Sequence, residues 1–109
     1  MSEQYAPETL TRADVDATPG ATVLDFGTNW CGYCRAAAPA IAGAFAAFPG
    51  VRHLKIEDGK GRPLGRSYGV KLWPTLVFLR DGVEVARVVR PDDEQPIRAA
   101  LARCAGSEA

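Results

Sequence analysis

The sequence has few residues that could bind a metal ion or form a framework of disulfide bonds. Its 109 residues include three cysteines and one histidine. Disulfide-stabilised small domains are much richer in cysteine, and a structural zinc site uses four Cys or His ligands. A metal site is therefore an alternative interpretation that would need every Cys and His residue of the sequence as a ligand, namely Cys31, Cys34, His53 and Cys104.

The chain also lacks net charge and a long hydrophobic run. Thirteen Lys and Arg residues balance thirteen Asp and Glu residues, so nothing global indicates a nucleic-acid or membrane partner. No apolar run approaches the ~18 residues of a membrane span, and the first residues do not form a charged and apolar leader. We therefore expect a cytoplasmic monomer.

Composition indicates one soluble domain over residues 1–109. The hydrophobic fraction is 47% and the charged fraction is 24%, as in ordinary globular proteins. Charge is uneven, however, because residues 31–80 carry eight Lys or Arg and only two Asp or Glu. This basic block is either a solvated face or a source of cations near the cysteine pair. The candidate cations are Arg35 and Lys71 within the block and Arg90 beyond it.

The most informative stretch is residues 30–34, which reads WCGYC. It follows an apolar run and precedes an alanine-rich helical pattern. Two cysteines with this spacing at the start of a helix can close a disulfide with little backbone movement, and the positive end of the helix dipole favours a thiolate at the first. The pattern predicts Cys31 as a nucleophile and Cys34 as the thiol that resolves a mixed disulfide, with a structural disulfide as the alternative.

Asp25 interrupts the apolar strand that leads to the cysteine pair. A carboxylate inside such a strand is unfavourable unless it is paired or has a chemical role. A buried carboxyl group can also exchange protons near neutral pH. Asp25 is therefore a candidate acid–base residue, and a merely satisfied buried carboxylate is the alternative.

Start and stop signals predict the order β-α-β-α-β, an antiparallel hairpin and a closing helix. Capping, glycine, proline and apolar periodicity place helices at 12–17, 32–48 and 64–68, strands at 23–26, 51–57, 75–79 and 83–89, and a final helix beginning near 94. Asp81-Gly82 is a hairpin turn signal. Pro39 predicts a kink within one helix. The polar residues 1–6 predict a frayed end with a short edge strand near Tyr5.

At these positions the chain resembles the thioredoxin family. The matching segments span about residues 20–104, with residues 1–20 matched weakly, and they are VLDF at 23–26, WCGYC at 30–34 followed by Arg35, Pro39, YGV at 68–70, WPT at 73–75 and DG at 81–82. The resemblance implies an α/β thioredoxin fold. That fold is a single three-layer domain in which helices flank a central mixed β-sheet.

The resemblance also implies roles for individual residues. Cys31 corresponds to the exposed nucleophile and Cys34 to the buried resolving thiol. Asp25 corresponds to the buried acid that exchanges the proton of the resolving thiol through water. Pro74 corresponds to a cis-proline that leaves the backbone of Trp73 free to pair with an extended substrate. The implied substrate groove comprises Trp30, Gly32, Tyr33, Trp73, Pro74, Thr75 and Arg90.

Four residues depart from the family pattern. Gly27 stands where an aromatic residue is usual, which predicts open space beside the site. Tyr33 replaces a proline between the cysteines and predicts a less reducing pair. His53 stands where a lysine is common near the buried acid, and its simplest interpretation is strand packing. Arg90 stands at a position in the substrate groove that is usually glycine.

The favoured function is an oxidoreductase that reduces protein disulfides through Cys31 and Cys34. No cofactor need bind the chain, and the resemblance implies electrons from NADPH through a separate flavin-containing thioredoxin reductase. Alternatives with the same chemistry are a disulfide isomerase and a glutaredoxin-like enzyme. An alternative of another class is a redox-switched binding or chaperone-like module, which would hold unfolded segments with Trp30, Trp73 and the space beside Gly27.

Overall fold

The computed structural model describes residues 4–106. In chain order its elements are α1 (Arg12–Asp16), β1 (Ala21–Gly27), α2 (Gly32–Ala46), β2 (Arg52–Glu57), α3 (Pro63–Ser67), β3 (Thr75–Arg80), β4 (Val83–Val89) and α4 (Glu94–Ala105). The predicted helices and strands are all present, and their ends differ by only a few residues because caps and turns mark most boundaries.

The four strands form one mixed sheet in the order β2-β1-β3-β4. β1 runs parallel to β2 and antiparallel to β3, and β3 and β4 form the predicted antiparallel hairpin. β1 is therefore central, and six of its seven residues are buried. The near-continuous apolar run at residues 23–26 predicts a strand buried on both faces in a parallel arrangement, and the parallel pairing is present on the β2 side only.

Alternating residues of the central strands face two separate apolar cores. One core lies between the sheet and the pair α2 and α4, and its largest buried members are Val23, Leu76, Phe78, Ile41, Ile97 and Leu101. The other lies beneath α1 and α3, with Leu24, Phe26, Val77, Leu79, Val15 and Leu64. The predicted three layers, helices on both faces of a sheet, are confirmed. Asp25 shares the α2 face of β1 with Val23, because alternate residues of a strand point to the same side.

Local signals account for the helix ends. Thr11 and Asp14 form a complete capping box at α1. Asp93 begins α4 by accepting a hydrogen bond from the Gln95 backbone N–H at 2.7 Å, and Gly106 ends it in the left-handed conformation. α2 continues through Pro39 as one helix. Among residues 4–106, no helix has the length and apolar character needed to span a membrane.

The start of the described chain is more ordered than its polar sequence predicts. Ala6 forms a single parallel bridge with Ile56 at the edge of β2, as expected for a short edge strand. The Tyr5 side chain, however, is 6% exposed and lies in the interior. The prediction of a frayed end is therefore wrong for Tyr5 and Ala6, and residues 1–3 lie outside the described part.

The β3–β4 turn also fastens the sheet to the preceding chain. Asp81 and Gly82 both have positive φ, of 53° and 82°, as a two-residue hairpin turn requires. The Asp81 carboxylate accepts a hydrogen bond from the Gly20 backbone N–H at 2.7 Å. A Cβ atom at Gly82 would collide with the carbonyl oxygen of Asp16, so this turn packs directly against the end of α1.

We expect Gly82→Ala to lower the free energy of unfolding by about 1–3 kcal/mol, because the new methyl group meets backbone and the left-handed φ disfavours alanine. Gly50→Ala is the matched control, since nothing lies within 4 Å of a Cβ there, and its effect should stay within about 0.5 kcal/mol. Urea denaturation measures both values. Equal losses for the two variants would contradict the packing argument.

Candidate active site

Cys31 lies at the N-terminus of α2, where its sulfur acts as the helix cap. The Cys31 Sγ accepts a hydrogen bond from the Cys34 backbone N–H at 3.2 Å. Cys31 is partly exposed, whereas Cys34 is 3% exposed. All three cysteines are free thiols. The positive end of the helix dipole and a backbone N–H therefore both act on the sulfur that solvent can reach.

Cys34 faces the interior one turn along α2. Burial raises the pKa of the Cys34 thiol, and its hydrogen bond with Cys31 raises that pKa further, while the Thr28 backbone and the Tyr5 side chain act in the opposite direction. A thiol with a raised pKa is a poor nucleophile until a base removes its proton. The two cysteines thus differ in the way that attack followed by resolution requires.

Asp25 has no exposed surface and is held through both carboxylate oxygens. The Tyr5 hydroxyl donates to Oδ1 at 2.7 Å, and Nε2 of His53 lies 2.9 Å from Oδ2. The His53 ring stacks on Phe45 with the ring centroids 4.1 Å apart. His53 thus packs within the fold, as its simplest interpretation predicts, and also contacts the buried acid.

Tyr5 fills the space that the sequence left beside Gly27. A Cβ atom at Gly27 would lie 2.7 Å from Cζ of Tyr5 and 2.6 Å from Sγ of Cys34. The expectation of open space at Gly27 is therefore wrong, because an aromatic ring from the start of the chain occupies it. The binding-module alternative loses the cavity on which it partly depended.

Arg90 joins the two segments that the resemblance assigns to a substrate groove. Its backbone N–H donates to the Pro74 carbonyl at 2.9 Å, and its side-chain Nε donates to the Trp73 carbonyl at 2.8 Å. Its guanidinium group lies 3.7 Å from the centre of the Tyr33 ring. The Trp73–Pro74 peptide is cis. The expectation of a free Trp73 backbone is wrong for its carbonyl, which the Arg90 side chain already engages.

The remaining predicted groove residues differ in exposure. Trp30 and Tyr33 are 66% and 60% exposed, and Gly32 is the exposed first residue of α2. Trp73 is half-buried and donates from Nε1 to the Asp58 carboxylate at 2.9 Å. Thr75 is buried at the start of β3. Trp30 and Tyr33, which are adjacent to Cys31 and Cys34 in the sequence, thus present two exposed aromatic side chains.

The four residues considered as metal ligands do not form a site. Among residues 4–106, no group of three or more His, Cys, Asp or Glu is arranged to hold a metal ion. Cys104 lies in the core under α4, where its thiol donates to the Leu79 carbonyl at 3.0 Å. The expectation that Cys104 acts as a buried small apolar residue agrees with this position.

Sequence reasoning missed Tyr5, which belongs to the site by contact. Its hydroxyl group is 20 residues from Asp25 along the chain, and no local spacing connects them. The available signal was Gly27, since the missing side chain there requires another group to fill the interior beside Cys34.

Comparison with known proteins agrees with this geometry. The family model described as Thioredoxin matches residues 6–103. The structure of reduced thioredoxin 2 from Pseudomonas aeruginosa PAO1 is 51% identical, has a TM-score of 0.87, and is matched over 98% of this chain and 99% of that one.

Sequence relatives give the same family over a shorter alignment. A thioredoxin H-type from Oryza sativa subsp. indica is 39% identical over 67% of this chain and 62% of its own length. A thioredoxin H-type 1 from Nicotiana tabacum is 38% identical over 67% of this chain and 58% of its own length. The chain thus spans less than two thirds of these two proteins. Because the family model covers most of the sequence, the chain belongs to the thioredoxin family.

Proposed function

We propose that the chain is a protein thiol-disulfide oxidoreductase that reduces substrate disulfides, acting as one domain over residues 1–109. The observation that carries this proposal is the unequal pair of thiols. The Cys31 sulfur caps a helix and reaches solvent, while the Cys34 thiol is buried next to a carboxylate network. Thioredoxin relatives favour reduction over the isomerase and glutaredoxin-like alternatives.

The reaction proceeds in two exchange steps. The Cys31 thiolate attacks one sulfur of the substrate disulfide, a mixed disulfide forms, and the other substrate sulfur leaves and is protonated. The Cys34 thiolate then attacks Sγ of Cys31, releasing the second substrate thiol and leaving the Cys31–Cys34 disulfide. The proton of Cys34 is transferred towards Asp25, which is the buried acceptor on this side of the sheet.

The substrate groove in this proposal runs between the start of α2 and the cis-proline loop. Its members are Trp30, Gly32, Tyr33, Trp73, Pro74, Thr75 and Arg90. Exposed aromatic side chains at Trp30 and Tyr33 offer apolar contact. Contacts from Arg90 to Tyr33 and Trp73 support the grouping, because they connect the two sides of this groove.

The proposal includes a separate electron donor. Net reduction leaves the Cys31–Cys34 disulfide, which must be reduced again after each turnover. The proposed source of electrons is NADPH, acting through a thioredoxin reductase-like flavoenzyme. The proposed substrates are disulfide-containing proteins. We further propose that the protein acts as a monomer in the cytoplasm. Turnover with NADPH and a purified thioredoxin reductase tests the electron source directly.

The equilibrium reduction potential of the cysteine pair tests the direction of the reaction. Equilibration with glutathione mixtures, followed by thiol alkylation, measures it. A value near about −270 mV, the thioredoxin benchmark, supports the reductase. A value near about −180 mV or higher would indicate an isomerase or an oxidant instead.

We expect three cysteine variants to separate the roles of the thiols. Cys31→Ser should abolish reduction of insulin disulfides, and Cys34→Ser should accumulate a mixed disulfide with the substrate, because the resolving thiol is missing. Cys104→Ala is the control and should keep turnover, since its thiol is in the core. Insulin turbidity and non-reducing mass spectrometry measure the outcomes. Full turnover by Cys31→Ser would contradict the proposed function.

A further inference from the structure

We propose that the Tyr5 hydroxyl group transfers the proton from the Cys34 thiol to the Asp25 carboxylate when Cys34 resolves the mixed disulfide. The inference rests on the proposed function and adds a residue to its second step. The Tyr5 phenol is buried and donates to Asp25 Oδ1 at 2.7 Å. Its ring also lies beside the Cys34 sulfur, because a Cβ atom at Gly27 would meet both Cζ of Tyr5 and Sγ of Cys34. Tyr5 therefore adjoins both the thiol and the carboxylate.

Gly27 is what makes this contact possible. Any side chain at Gly27 would overlap Tyr5 and Cys34, with Cβ distances of 2.7 Å to Cζ of Tyr5 and 2.6 Å to Sγ of Cys34. The Tyr5 ring thus packs beside the Cys34 sulfur while its hydroxyl group binds the Asp25 carboxylate. A hydroxyl group fixed by packing takes the place of the mobile water that the family resemblance implied.

The transfer balances with the phenol unchanged. The Cys34 S–H gives its proton to the Tyr5 oxygen, while the Tyr5 O–H gives its own proton to Asp25 Oδ1, which leaves a thiolate, a phenol and a carboxylic acid. Burial, followed by the nearby Asp25 carboxylate, raises the pKa of Tyr5 well above its usual value. Tyr5 therefore remains protonated before and after the step and acts as a relay.

Other charged groups face the same network. His53 holds the second oxygen of Asp25, and the Lys55 ammonium group lies 4.6 Å from the centre of the Tyr5 ring. Both come from β2, and Lys55 lines a small pocket together with Tyr5 and Cys34. They can balance negative charge on Asp25, whereas the Tyr5 hydroxyl binds the acid directly and its ring lies beside the thiol.

The test uses Tyr5→Phe, which removes only the hydroxyl group, and follows the reaction with 5,5′-dithiobis(2-nitrobenzoate) by stopped flow. Attack by Cys31 releases the first thionitrobenzoate and resolution by Cys34 releases the second. We expect the second phase to slow by at least about tenfold at pH 7, while the first phase is unchanged. Loss of the first phase in the unmodified protein would contradict the proposed function itself.

Three controls separate a relay from a packing effect. Tyr68→Phe removes a buried hydroxyl without a hydrogen-bond partner and should leave both phases unchanged. Raising the pH should restore the second phase of Tyr5→Phe, because hydroxide then forms the Cys34 thiolate directly. Asp25→Asn combined with Tyr5→Phe should be no slower than the slower single variant. A second phase that is unaffected, or slowed equally at every pH, would overturn the relay.

A second inference rests on a different observation. We infer that Arg90 selects substrates that carry a carboxylate next to the disulfide and hinders binding of others. Arg90 has a positive φ of 49°, which is uncommon for a residue with a side chain. This backbone directs the side chain across the groove, where it binds the Trp73 carbonyl and covers the Tyr33 ring.

An arriving substrate competes with these contacts. An extended segment that pairs with the Trp73 backbone needs the carbonyl that Arg90 engages. A substrate carboxylate can bind the guanidinium group through two charge-assisted hydrogen bonds, which are stronger than the bond to a neutral carbonyl. An acidic segment therefore compensates for releasing Trp73, and a neutral or basic segment does not.

Positive charge around Trp73 extends the same preference. Lys60, Arg66 and Lys71 line a cleft of about 340 Å³ beside this residue, together with Arg62, which pairs with Glu57, and Asp58, which accepts the Trp73 hydrogen bond. Within the described part of the chain, none of the three belongs to an ion pair. Their field would attract the same acidic segment that Arg90 binds and would repel a basic one.

Three disulfide peptides that differ only in a Glu, Gln or Lys beside the cysteine test this inference. At low salt we expect kcat/KM to be about tenfold higher for the Glu peptide than for the Lys peptide, because the Arg90 guanidinium group attracts the Glu carboxylate and repels the Lys ammonium group. Arg90→Gly should remove that preference and raise kcat/KM for the Gln peptide several-fold, because the Trp73 carbonyl becomes free.

Arg103→Gln is the charge-matched control on α4 and should preserve the preference for the Glu peptide. An Arg90→Gly variant that keeps this preference would overturn the inference, as would equal rates on all three peptides by the unmodified protein. Failure to reduce any of the peptides would instead contradict the proposed reductase. Added salt should weaken the preference, since exposed charges are screened.

Discussion

Burial of the Asp25 carboxyl group is the constraint on which the rest of this structure depends. An ionised carboxylate without partners in a protein interior is unfavourable by several kcal/mol. Here the Tyr5 hydroxyl and the His53 ring each engage one of its oxygens. Because these groups come from the start of the chain and from β2, the carboxylate fastens two separate segments to the central strand. Through Tyr5 the same network also adjoins the Cys34 sulfur.

Local physics was sufficient to predict most of the fold. Caps at Thr11 and Asp93 and the turn at Asp81-Gly82 are short-range signals, and each marks the element boundary that the sequence indicated. The position of Tyr5 depends instead on a contact 20 residues away. Its neighbours in sequence form no apolar pattern, and the missing side chain at Gly27 is the signal that reveals the space the ring fills.

Predictability of the site divides in a similar way. Spacing predicted the pair of Cys31 and Cys34 and the unusual position of Asp25, because each depends on a single helix or strand. The family resemblance, rather than spacing, implied that Asp25 and His53 lie near that pair. The residues of the groove were predicted, but which of their atoms are free to contact a substrate was not. Whether the Trp73 carbonyl is free depends on the rotamer and left-handed backbone of Arg90, and neither property can be read from residue type.

The cysteine pair separates two kinds of chemistry. In the proposed mechanism, sulfur exchange takes place at Cys31, on the side where Tyr33 and Arg90 would meet the substrate, whereas proton transfer takes place behind Cys34, on the side of Tyr5 and Asp25. No residue among Tyr5, Asp25 and His53 reaches the groove, since all three are buried or nearly so. Changes in the groove can therefore alter which disulfides are accepted while the proton path stays intact. A change at Gly27 does the reverse, because it displaces Tyr5 and leaves the groove residues in place.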